Sequence, residues 1–360
     1  MCYAIRSVSA ATTLHSSFPN DDIMNVRKIF ITSAQQISMQ QPLCHQWMVE
    51  PLSSTEPYVR SCEPNYREFL SPIESRRLGK VLKRALVTSL KVMSDSGVTN
   101  PDAIITGTGL GCVENTESFL KALCIDGEQL LKPTHFMQST HNTIGSLIAI
   151  HTKSHGYNVT YSDKATSFES ALYDALLQFA VTPIKNALVG SHDEVTPSYF
   201  TLLKRIGYVG QPDQVACSEA SVAMMLQADV ATGAWCEVEK MEMLYSPQPD
   251  ELEAALCGIV AEAQPDAIVA GINNEPANDC GYSKIASLEL PIVAYKRAFG
   301  ENYSASALGV YAAARMIKEN RIPQYLLAKG DMPDKVERLL VFNHSDNKNY
   351  SLLLLKKCGL

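Results

Sequence analysis

The sequence has no Cys-x-x-Cys pair, although it contains 10 cysteines among its 360 residues. Structural zinc sites usually take ligands from such closely spaced pairs, so this absence argues against a zinc site of that kind. We expect neither a metal nor another cofactor. Cysteines scattered through a chain of this size are typical of reduced thiols, which indicates a cytoplasmic protein.

Long apolar runs and excess positive charge are also missing. Without an apolar run of about 18 residues, the sequence predicts no transmembrane helix and no membrane partner. The N-terminal stretch MCYAIRSVSAATTLHSSF lacks the long apolar core of a secretion signal. The net charge of −7 argues against a nucleic-acid partner. An acidic carrier protein would therefore need a local basic patch on this surface.

What the sequence does contain is an alternation of strand and helix patterns, which predicts an α/β layered fold. The predicted strands cover residues 2–9, 28–34, 102–107, 158–162, 186–191, 221–227, 236–244, 266–271, 338–343 and 350–356. The predicted helices cover residues 71–97, 113–123, 140–153, 166–181, 250–263 and 303–317. Gly97 suits the position that ends the first of these helices. The rhythm of the elements suggests two similar halves.

Two short motifs carry weak chemical signals. The turn GTGLG (107–111) follows a predicted strand and precedes a helix, where backbone amides can bind phosphate. The dinucleotide fingerprint requires a third glycine where Cys112 stands, so a tight turn is the favoured interpretation. His151 and His155 are spaced to share a helix face, but Thr152 stands where zinc proteases have glutamate. We therefore favour packed or exposed histidines.

Serine and histidine occur close together at two places. Ser191-His192-Asp193 has the composition of a catalytic triad, but neighbouring residues point in different directions, whereas triads meet through space. Ser139 and His141 form a second pair, for which a helix N-cap at Ser139 or Thr140 is the favoured interpretation. These residues define one alternative function, an acyl hydrolase that uses Ser139, His141 or His192. Such an enzyme requires that nucleophile, base and oxyanion hole converge.

The stretch NVTYSDKATSFESALYDALLQ (158–178) predicts a strand, a sharp turn and a helix, which is the setting in which many enzymes expose a nucleophile. The turn contains Lys164, Ala165 and Thr166. A cysteine at position 165 would have its pKa lowered by the helix N-terminus and would be activated. Ala165 supplies no nucleophile.

Several motifs, taken in order, resemble the β-ketoacyl synthases of the thiolase superfamily over nearly the whole chain. They are helix 71–97 followed by IITGTGLG, the run from His135 to Ala175 that contains the sharp turn, LVGSHDE and CSEASVAMML. The resemblance implies a thiolase-like five-layer αβαβα fold with two pseudo-duplicated halves, each containing a mixed five-stranded sheet. The implied halves are residues 1–210 and 211–360, with the break near 205–216.

The positions that match the family's three catalytic residues hold other side chains here. Ala165 falls on the nucleophilic cysteine, and Gly271 in AGINNEPAND falls on the first histidine. Tyr303 or Glu301, depending on a two-residue gap, falls on the second histidine. HSDNKNY (344–350) replaces a closing glycine-rich loop. Because condensation needs a thiolate and both histidines, the resemblance implies an inactive subunit with no catalytic residues of its own.

In this family, inactive relatives called chain-length factors form heterodimers with catalytic ketosynthases and shape their acyl tunnels. The resemblance therefore implies a ketosynthase partner, an acyl carrier protein, and a role in fatty acid, polyketide or polyene biosynthesis. The chain is similar in particular to short ketosynthase-like subunits of bacterial aryl-polyene pathways. A homodimeric acyl-binding protein is the other alternative.

The resemblance also assigns roles to two groups of residues. The family's tunnel-lining positions fall on Leu110, His135, Phe136 and Met137. The strand that pairs across the family's dimer axis falls on Val159, Thr160, Tyr161 and Ser162. For any single tunnel residue, ordinary core packing is an equally good interpretation.

Overall fold

The computed structural model describes residues 27–126, 131–230 and 232–359, so the strand predicted at 2–9 lies outside the described residues. Within these ranges, eleven strands form one continuous sheet in the order β3-β2-β4-β5-β1-β6-β11-β10-β7-β8-β9. The strands are β1 Ile29–Ile37, β2 Ala103–Gly107, β3 Tyr157–Tyr161, β4 Asn186–Asp193, β5 Ala220–Ala228, β6 Cys236–Tyr245, β7 Ala267–Ala270, β8 Ile292–Ala294, β9 Leu327–Lys329, β10 Arg338–Ser345 and β11 Asn349–Lys356.

Ten of the eleven strands form two sets of five with the same topology, and β9 pairs with the edge of the second set. Strands β1 to β5 form the first half, and β6, β7, β8, β10 and β11 form the second half. Both halves lie in the order third, second, fourth, fifth, first. In both, the second strand is parallel to the third and fourth, and the fifth is antiparallel to the fourth and first. The pairs Phe30–Glu237 and Ile31–Cys236 join the halves.

The helices of the described ranges cover and separate these sheets. They are α1 Pro72–Arg77, α2 Lys80–Ser96, α3 Val113–Asp126, α4 Pro133–Met137, α5 Thr143–Thr152, α6 Ser167–Val181, α7 Pro197–Arg205, α8 Pro249–Ala263, α9 Pro276–Asp279, α10 Lys296–Phe299 and α11 Ala305–Glu319. None of these helices is both long and apolar enough to cross a membrane.

Alternating side chains of the strands face different helix layers, because successive residues of a strand point to opposite faces. Ile105 of β2 and Val269 of β7 pack with α6 and α11 in one central core. Ile104 packs outward against α2 and α5. Ile268 packs outward against α8. The resulting layers are helix, sheet, helix, sheet and helix, which confirms the predicted thiolase-like αβαβα fold.

The junction between the halves follows from the pairing of β5. This strand lies between β4 and β1, so it belongs to the first half. The sequence-based break near 205–216 would instead have assigned β5 to the second half. We therefore propose that residues 229–235, between β5 and β6, connect the two halves.

The prediction of one continuous helix over 71–97 was wrong. The chain leaves the helical conformation at Leu78 and Gly79, and α2 begins at Lys80. A β-carbon at Gly79 would lie 2.9 Å from Asn115 Nδ2, so the Asn115 side chain would have to shift to admit a larger residue there. Gly97 ends α2 with a φ of 73°, as predicted.

Candidate functional site

The sharp turn between β3 and α6 holds Ala165 in a fixed position. Lys164 has a φ of 47°, in the left-handed region, and α6 begins at Ser167. The Asp163 amide donates to Ser167 Oγ over 2.8 Å, and Thr166 Oγ1 donates to Asp163 Oδ2 over 2.8 Å. The turn therefore has the geometry of an elbow that presents one residue, but the methyl group of Ala165 has no acid, base or nucleophilic chemistry.

The GTGLG loop does not offer its amides to a phosphate, because a side chain of the protein already binds them. Asp193 Oδ1 accepts from the Leu110 amide over 2.8 Å and from the Gly109 amide over 3.0 Å. Thr108 Oγ1 donates to the same oxygen over 3.0 Å. Ser304 Oγ donates to Asp193 Oδ2 over 2.7 Å. The tight-turn interpretation therefore fits, and the carboxylate ties the loop to α11 of the second half.

Glu194, next to Asp193, also accepts a backbone hydrogen bond, at the start of α3. Its Oε1 accepts from the Glu114 amide over 2.9 Å, in the first turn of the helix. Burial raises the pKa of Glu194 to about 7. Burial also raises the pKa of Asp193, while its hydrogen bonds act in the opposite direction. Sequence reasoning missed both roles, although two acidic residues at the end of a buried strand were a visible signal.

The space beside Gly271 is filled by other side chains. A β-carbon on Gly271 would overlap the Tyr282 hydroxyl oxygen and would lie 3.1 Å from both Asn343 Oδ1 and Tyr295 Oη. Tyr295 donates to Asn343 Oδ1 over 2.9 Å. Tyr282 is itself only 4% exposed. An imidazole could not enter this space unless Tyr282 moved.

Glu301 is held in a buried ion pair. Its Oε2 accepts from Lys296 Nζ over 2.7 Å and from Asn273 Nδ2 over 2.6 Å, and both charged side chains are about 8% exposed. The carboxylate therefore has its charge compensated within the protein. This arrangement fixes the loop after α10 and leaves Glu301 poorly placed to donate or accept a proton from a substrate.

Tyr303 lies over the loop next to the elbow. A β-carbon on Gly109 would lie 2.6 Å from Tyr303 Cβ and 3.0 Å from the Lys164 carbonyl oxygen. The Tyr303 and Tyr208 rings stack with centroids 6.4 Å apart. A cavity of about 10 Å³ lies beside them, lined also by Glu301 and Cys217. That volume holds about one water molecule.

Glu169 is a fully buried acid one helical turn after Ala165. Its oxygens accept from Ser306 Oγ over 2.9 Å and from Ser351 Oγ over 3.2 Å, which links α6 to α11 and β11. Burial raises the pKa of Glu169 to about 7. The sequence analysis did not single out this residue, because a glutamate within an amphipathic helix pattern gives no signal of its burial.

The alternative hydrolase residues do not converge. His192 Nδ1 contacts Ser221 Oγ at 2.7 Å, whereas Ser191 Oγ contacts Ser304 Oγ at 2.9 Å, on the other face of β4. Burial lowers the pKa of His192 to about 3, so it is neutral. Ser139 Oγ donates to the Phe136 carbonyl oxygen over 2.7 Å rather than to a histidine. His141 is exposed and packs beside Gly111.

The predicted tunnel residues differ in their surroundings. Leu110 is half-buried in the GTGLG loop. Phe136 and Met137 are 58% and 69% exposed at the end of α4, so core packing does not account for them. His135, also in α4, lines the basic cleft that is described below. The tunnel role of these residues remains a prediction.

The predicted interface strand lies at the edge of the sheet. β3 pairs with β2 on one side, and no described strand pairs with its other side. Val159, Thr160 and Tyr161 are half-buried, and Ser162 is exposed. Next to β3, α6 exposes an apolar stripe of Tyr173, Leu177 and Val181 at every fourth residue. We call β3 and this stripe the β3 face; its role as an interface remains a prediction.

A basic cleft of about 770 Å³ opens where the chain breaks between α1 and α2. Arg76, Arg77 and Lys80 line it together with Glu114 and His135. The side chains of the three cations form no hydrogen bond or ion pair with another described residue. No side chain caps the N-terminus of α2 at the cleft. The cleft thus has the local positive charge that an acidic partner would need.

No metal centre accompanies these features. Within residues 27–126, 131–230 and 232–359, no cluster of three or more histidine, cysteine, aspartate or glutamate side chains could hold a metal ion. His151 and His155 do not share a helix face, since α5 ends at Thr152.

Comparison with solved structures identifies the fold. The ishigamide ketosynthase/chain length factor is 18% identical, covers 92% of this chain and 100% of its own, and superposes with a TM-score of 0.74. A ketosynthase (ApeO) in complex with its chain length factor (ApeC) from Xenorhabdus doucetiae is 12% identical, with coverages of 92% and 98% and a TM-score of 0.72. AntDE:AntF, a type II polyketide synthase acyl-carrier protein in complex with its ketosynthase, is 10% identical, with coverages of 92% and 99% and a TM-score of 0.74.

Comparison with sequences adds the family. A search of curated protein sequences finds no match. The family model described as beta-ketoacyl synthase, N-terminal domain, matches residues 45–259, which is more than half of the chain. The match contains the GTGLG loop, the elbow and β4. The chain therefore belongs to the beta-ketoacyl synthase family.

Proposed function

We propose that this chain is a non-catalytic ketosynthase-like subunit, a chain-length factor that pairs with an active β-ketoacyl synthase and shapes its acyl tunnel. The observation that carries the proposal is the content of the degenerate site. The elbow is intact, but it presents Ala165, the space beside Gly271 is filled by Tyr282, and Glu301 is neutralised by Lys296. The scaffold of a ketosynthase is thus retained while its chemistry is absent.

The outer edge of β3, with which no described strand pairs, supports the heterodimer. An exposed sheet edge is a liability unless something pairs with it or covers it. Here the edge adjoins the apolar stripe of α6, so a partner would cover both. The structures similar to this chain include a ketosynthase in complex with its chain length factor. We propose that the active ketosynthase covers the β3 face in the same manner.

The basic cleft supports an acyl carrier protein as the second partner. Carrier proteins are acidic, and the overall charge of −7 repels an acidic protein except at a local basic patch. The cations Arg76, Arg77 and Lys80 provide such a patch beside α4. One of the similar structures is a ketosynthase in complex with its acyl-carrier protein. We propose that the carrier protein docks at the basic cleft.

The exposure of Phe136 and Met137 supports a role in chain length. Phe136 and Met137 protrude from α4, and although the Phe136 ring also contacts Phe119, their exposed surface is available to a partner's cavity. In a tunnel they would stop a growing chain by occupying its end. We propose that Leu110, His135, Phe136 and Met137 line or close the tunnel, in a bacterial fatty acid, polyketide or polyene pathway, with an aryl polyene as the favoured product.

The inactive-subunit proposal is tested on the isolated chain. After incubation with an acyl donor, intact-mass measurement should show no acylated protein at position 165, and malonyl-carrier protein should not lose carbon dioxide. Ala165→Cys should load an acyl group but should not condense, because Gly271 and Tyr303 still supply no imidazole. Peptide mapping is the control for the exposed Cys124, Cys257 and Cys280. Condensation by the pure wild-type chain would contradict the proposal.

A further inference from the structure

A small apolar compartment lies beside the elbow, behind the stacked rings of Tyr208 and Tyr303. Four of its residues form a core cluster apart from the larger ones, namely Val195, Leu203, Val209 and Cys217. The cavity of about 10 Å³ lies among these side chains, and Glu301 and Asn302 complete its lining. Because the Glu301 carboxylate is paired with Lys296, the lining holds no free charge. The compartment therefore suits an uncharged, apolar group.

Tyr208 separates the compartment from water. Among the described residues that line the cavity only Tyr208 is exposed, at 38%, since Tyr303 is half-buried and the others are buried. The backbone at Tyr208 is held in place by two hydrogen bonds. Its amide donates to the Leu203 carbonyl oxygen over 3.0 Å, and its carbonyl oxygen accepts from Gln214 Nε2 over 3.1 Å. The ring is therefore kept over the compartment.

Tyr303 closes the compartment on the side of the elbow. A β-carbon on Gly109 would lie 2.6 Å from Tyr303 Cβ and 3.0 Å from the Lys164 carbonyl oxygen, so Tyr303 adjoins the elbow turn. Its ring stacks on that of Tyr208, and a side-chain hydrogen bond links it to Tyr199. Tyr303 thus contacts both the region of the elbow and the apolar compartment.

We propose that Tyr303 and Tyr208 form a plug that keeps acyl chains out of this subunit. An acyl chain held at the elbow would find apolar surroundings in the compartment, but the two rings fill it, and the remaining cavity holds about one water molecule. The inference rests on the proposed function, which supplies the acyl substrate. The plug acts against the homodimeric acyl-binding protein that the sequence left open as an alternative, and it leaves the growing chain to the partner.

Cys217 can report whether the plug is closed. Its thiol lines the cavity and the residue is 1% exposed. Burial raises the pKa of Cys217 to about 12, so at neutral pH it is an un-ionised thiol that reagents do not reach. Removal of the Tyr208 ring should admit both water and reagent, and should therefore make this thiol reactive.

Thiol labelling of the purified chain tests the inference. Methyl and octyl methanethiosulfonate transfer an alkylthio group to a thiol, and peptide mapping measures the labelling of each cysteine. In the wild type, both reagents should label the exposed Cys257 and leave Cys217 unmodified. Tyr208→Ala should raise the rate at Cys217 by about tenfold or more. Tyr208→Phe is the matched control, since it keeps the ring and should label as slowly as the wild type.

A second variant tests whether the opened compartment takes a chain of acyl length. Tyr303→Ala in the Tyr208→Ala background should favour the octyl over the methyl reagent at Cys217, because the longer chain gains apolar contact there. The ratio of the two rates at Cys257 corrects for intrinsic reactivity. Thermal unfolding establishes that each variant is folded, and Tyr208→Val replaces Tyr208→Ala if alanine prevents folding.

Three results would overturn the inference. They are labelling of Cys217 in the wild type as fast as that of Cys257, no faster labelling once the Tyr208 ring is removed from a folded chain, and entry of the methyl but not the octyl group in the double variant. These measurements involve no partner and no carrier protein, so the plug can fail while the proposed function stands. Condensation by the wild-type chain would contradict the proposed function without changing these rates.

Discussion

The two halves share a strand order, but the outer edges of their sheets differ. In the first half, the third strand, β3, is the outermost strand of the described sheet and leaves one edge unpaired. In the second half, the equivalent strand, β8, is covered by the short antiparallel strand β9. Because an unpaired edge invites pairing and a covered edge prevents it, we propose that the assembly surface lies on the first half.

The ends of the fourth strands show a second difference. His192 in β4 and His344 in β10 occupy equivalent positions, opposite Ser221 and Tyr350 of the neighbouring strands. The next residue is Asp193 in β4, which binds the GTGLG loop, but it is Ser345 in β10, whose side chain forms no hydrogen bond with a described residue. The first half therefore uses a buried carboxyl group to fix the GTGLG loop beside the elbow.

Asp193→Ala should produce the largest effect on stability. It leaves the Gly109 and Leu110 amides and the hydroxyls of Thr108 and Ser304 without their acceptor, and we expect a loss on the order of 4 kcal/mol in the free energy of unfolding. Urea unfolding measures it. Ser345→Ala, at the equivalent position, should cost less than about 1 kcal/mol. Equal losses for both variants would show that the halves are not differentiated here.

Leu177→Asp should weaken pairing with a ketosynthase about a hundredfold, since it places a charge in the apolar stripe of the β3 face. Val49→Asp is the matched control, because Val49 is 72% exposed on the segment that packs Trp47 against α11. It should leave affinity unchanged. Isothermal titration with the partner gives both values. Equal weakening by the two variants would remove the β3 face as the interface.

Gly271→Ala should destabilise the second half by roughly 1–3 kcal/mol, because its methyl group overlaps the Tyr282 hydroxyl. In the Tyr282→Phe background the same substitution should cost much less, since the overlapping atom is gone. Thermal unfolding of the four proteins in this cycle measures the coupling. Additive effects of the two substitutions would mean that Tyr282 does not fill the space.

The buried histidines should make the stability of the fold depend on pH. Burial lowers the pKa of His192 to about 3 and that of His344 to about 4, whereas both are near 6.5 when unfolded. As pH falls below 6.5 the unfolded chain binds protons first, so stability falls by at most about 1.4 kcal/mol per pH unit for each histidine.

The pH ranges over which the two histidines affect stability end at different pH values. The contribution of His344 should cease near pH 4, and that of His192 should continue towards pH 3. His192→Gln and His344→Gln should each reduce the slope of stability against pH between 6.5 and 4, as measured by urea unfolding at a series of pH values. If both variants keep the wild-type slope, the histidines are protonated in the folded chain.

Much of the fold could be predicted because the signals are local. Alternating apolar residues marked strands such as β4, and Gly97 marked the end of α2. The break at Leu78 and Gly79 was not predicted, because the apolar spacing of Leu78, Val81 and Leu82 continues through it. The strand β9 has only three residues and gives no periodic pattern.

The candidate site shows the same limit. The elbow was found because the strand, turn and helix that form it are contiguous, so Ala165 could be placed from the sequence. The role of Tyr282 depends on its meeting Gly271, and the roles of Asp193 and Glu194 depend on loops from other strands. No spacing rule connects those positions. The order of the motifs was enough to predict the family from the sequence. The side chains that fill the site became known only from tertiary contacts in the structure.

The central claim is that this chain sets the length of a partner's product without doing chemistry, and product analysis tests it most directly. The paired ketosynthase is assayed with its carrier protein and with this chain as wild type, Phe136→Ala or Met137→Ala, and chain length is read by mass spectrometry. We expect longer products from the smaller side chains while the heterodimer persists. An unchanged product distribution for both variants and for Leu110→Ala, with intact assembly, would contradict the account.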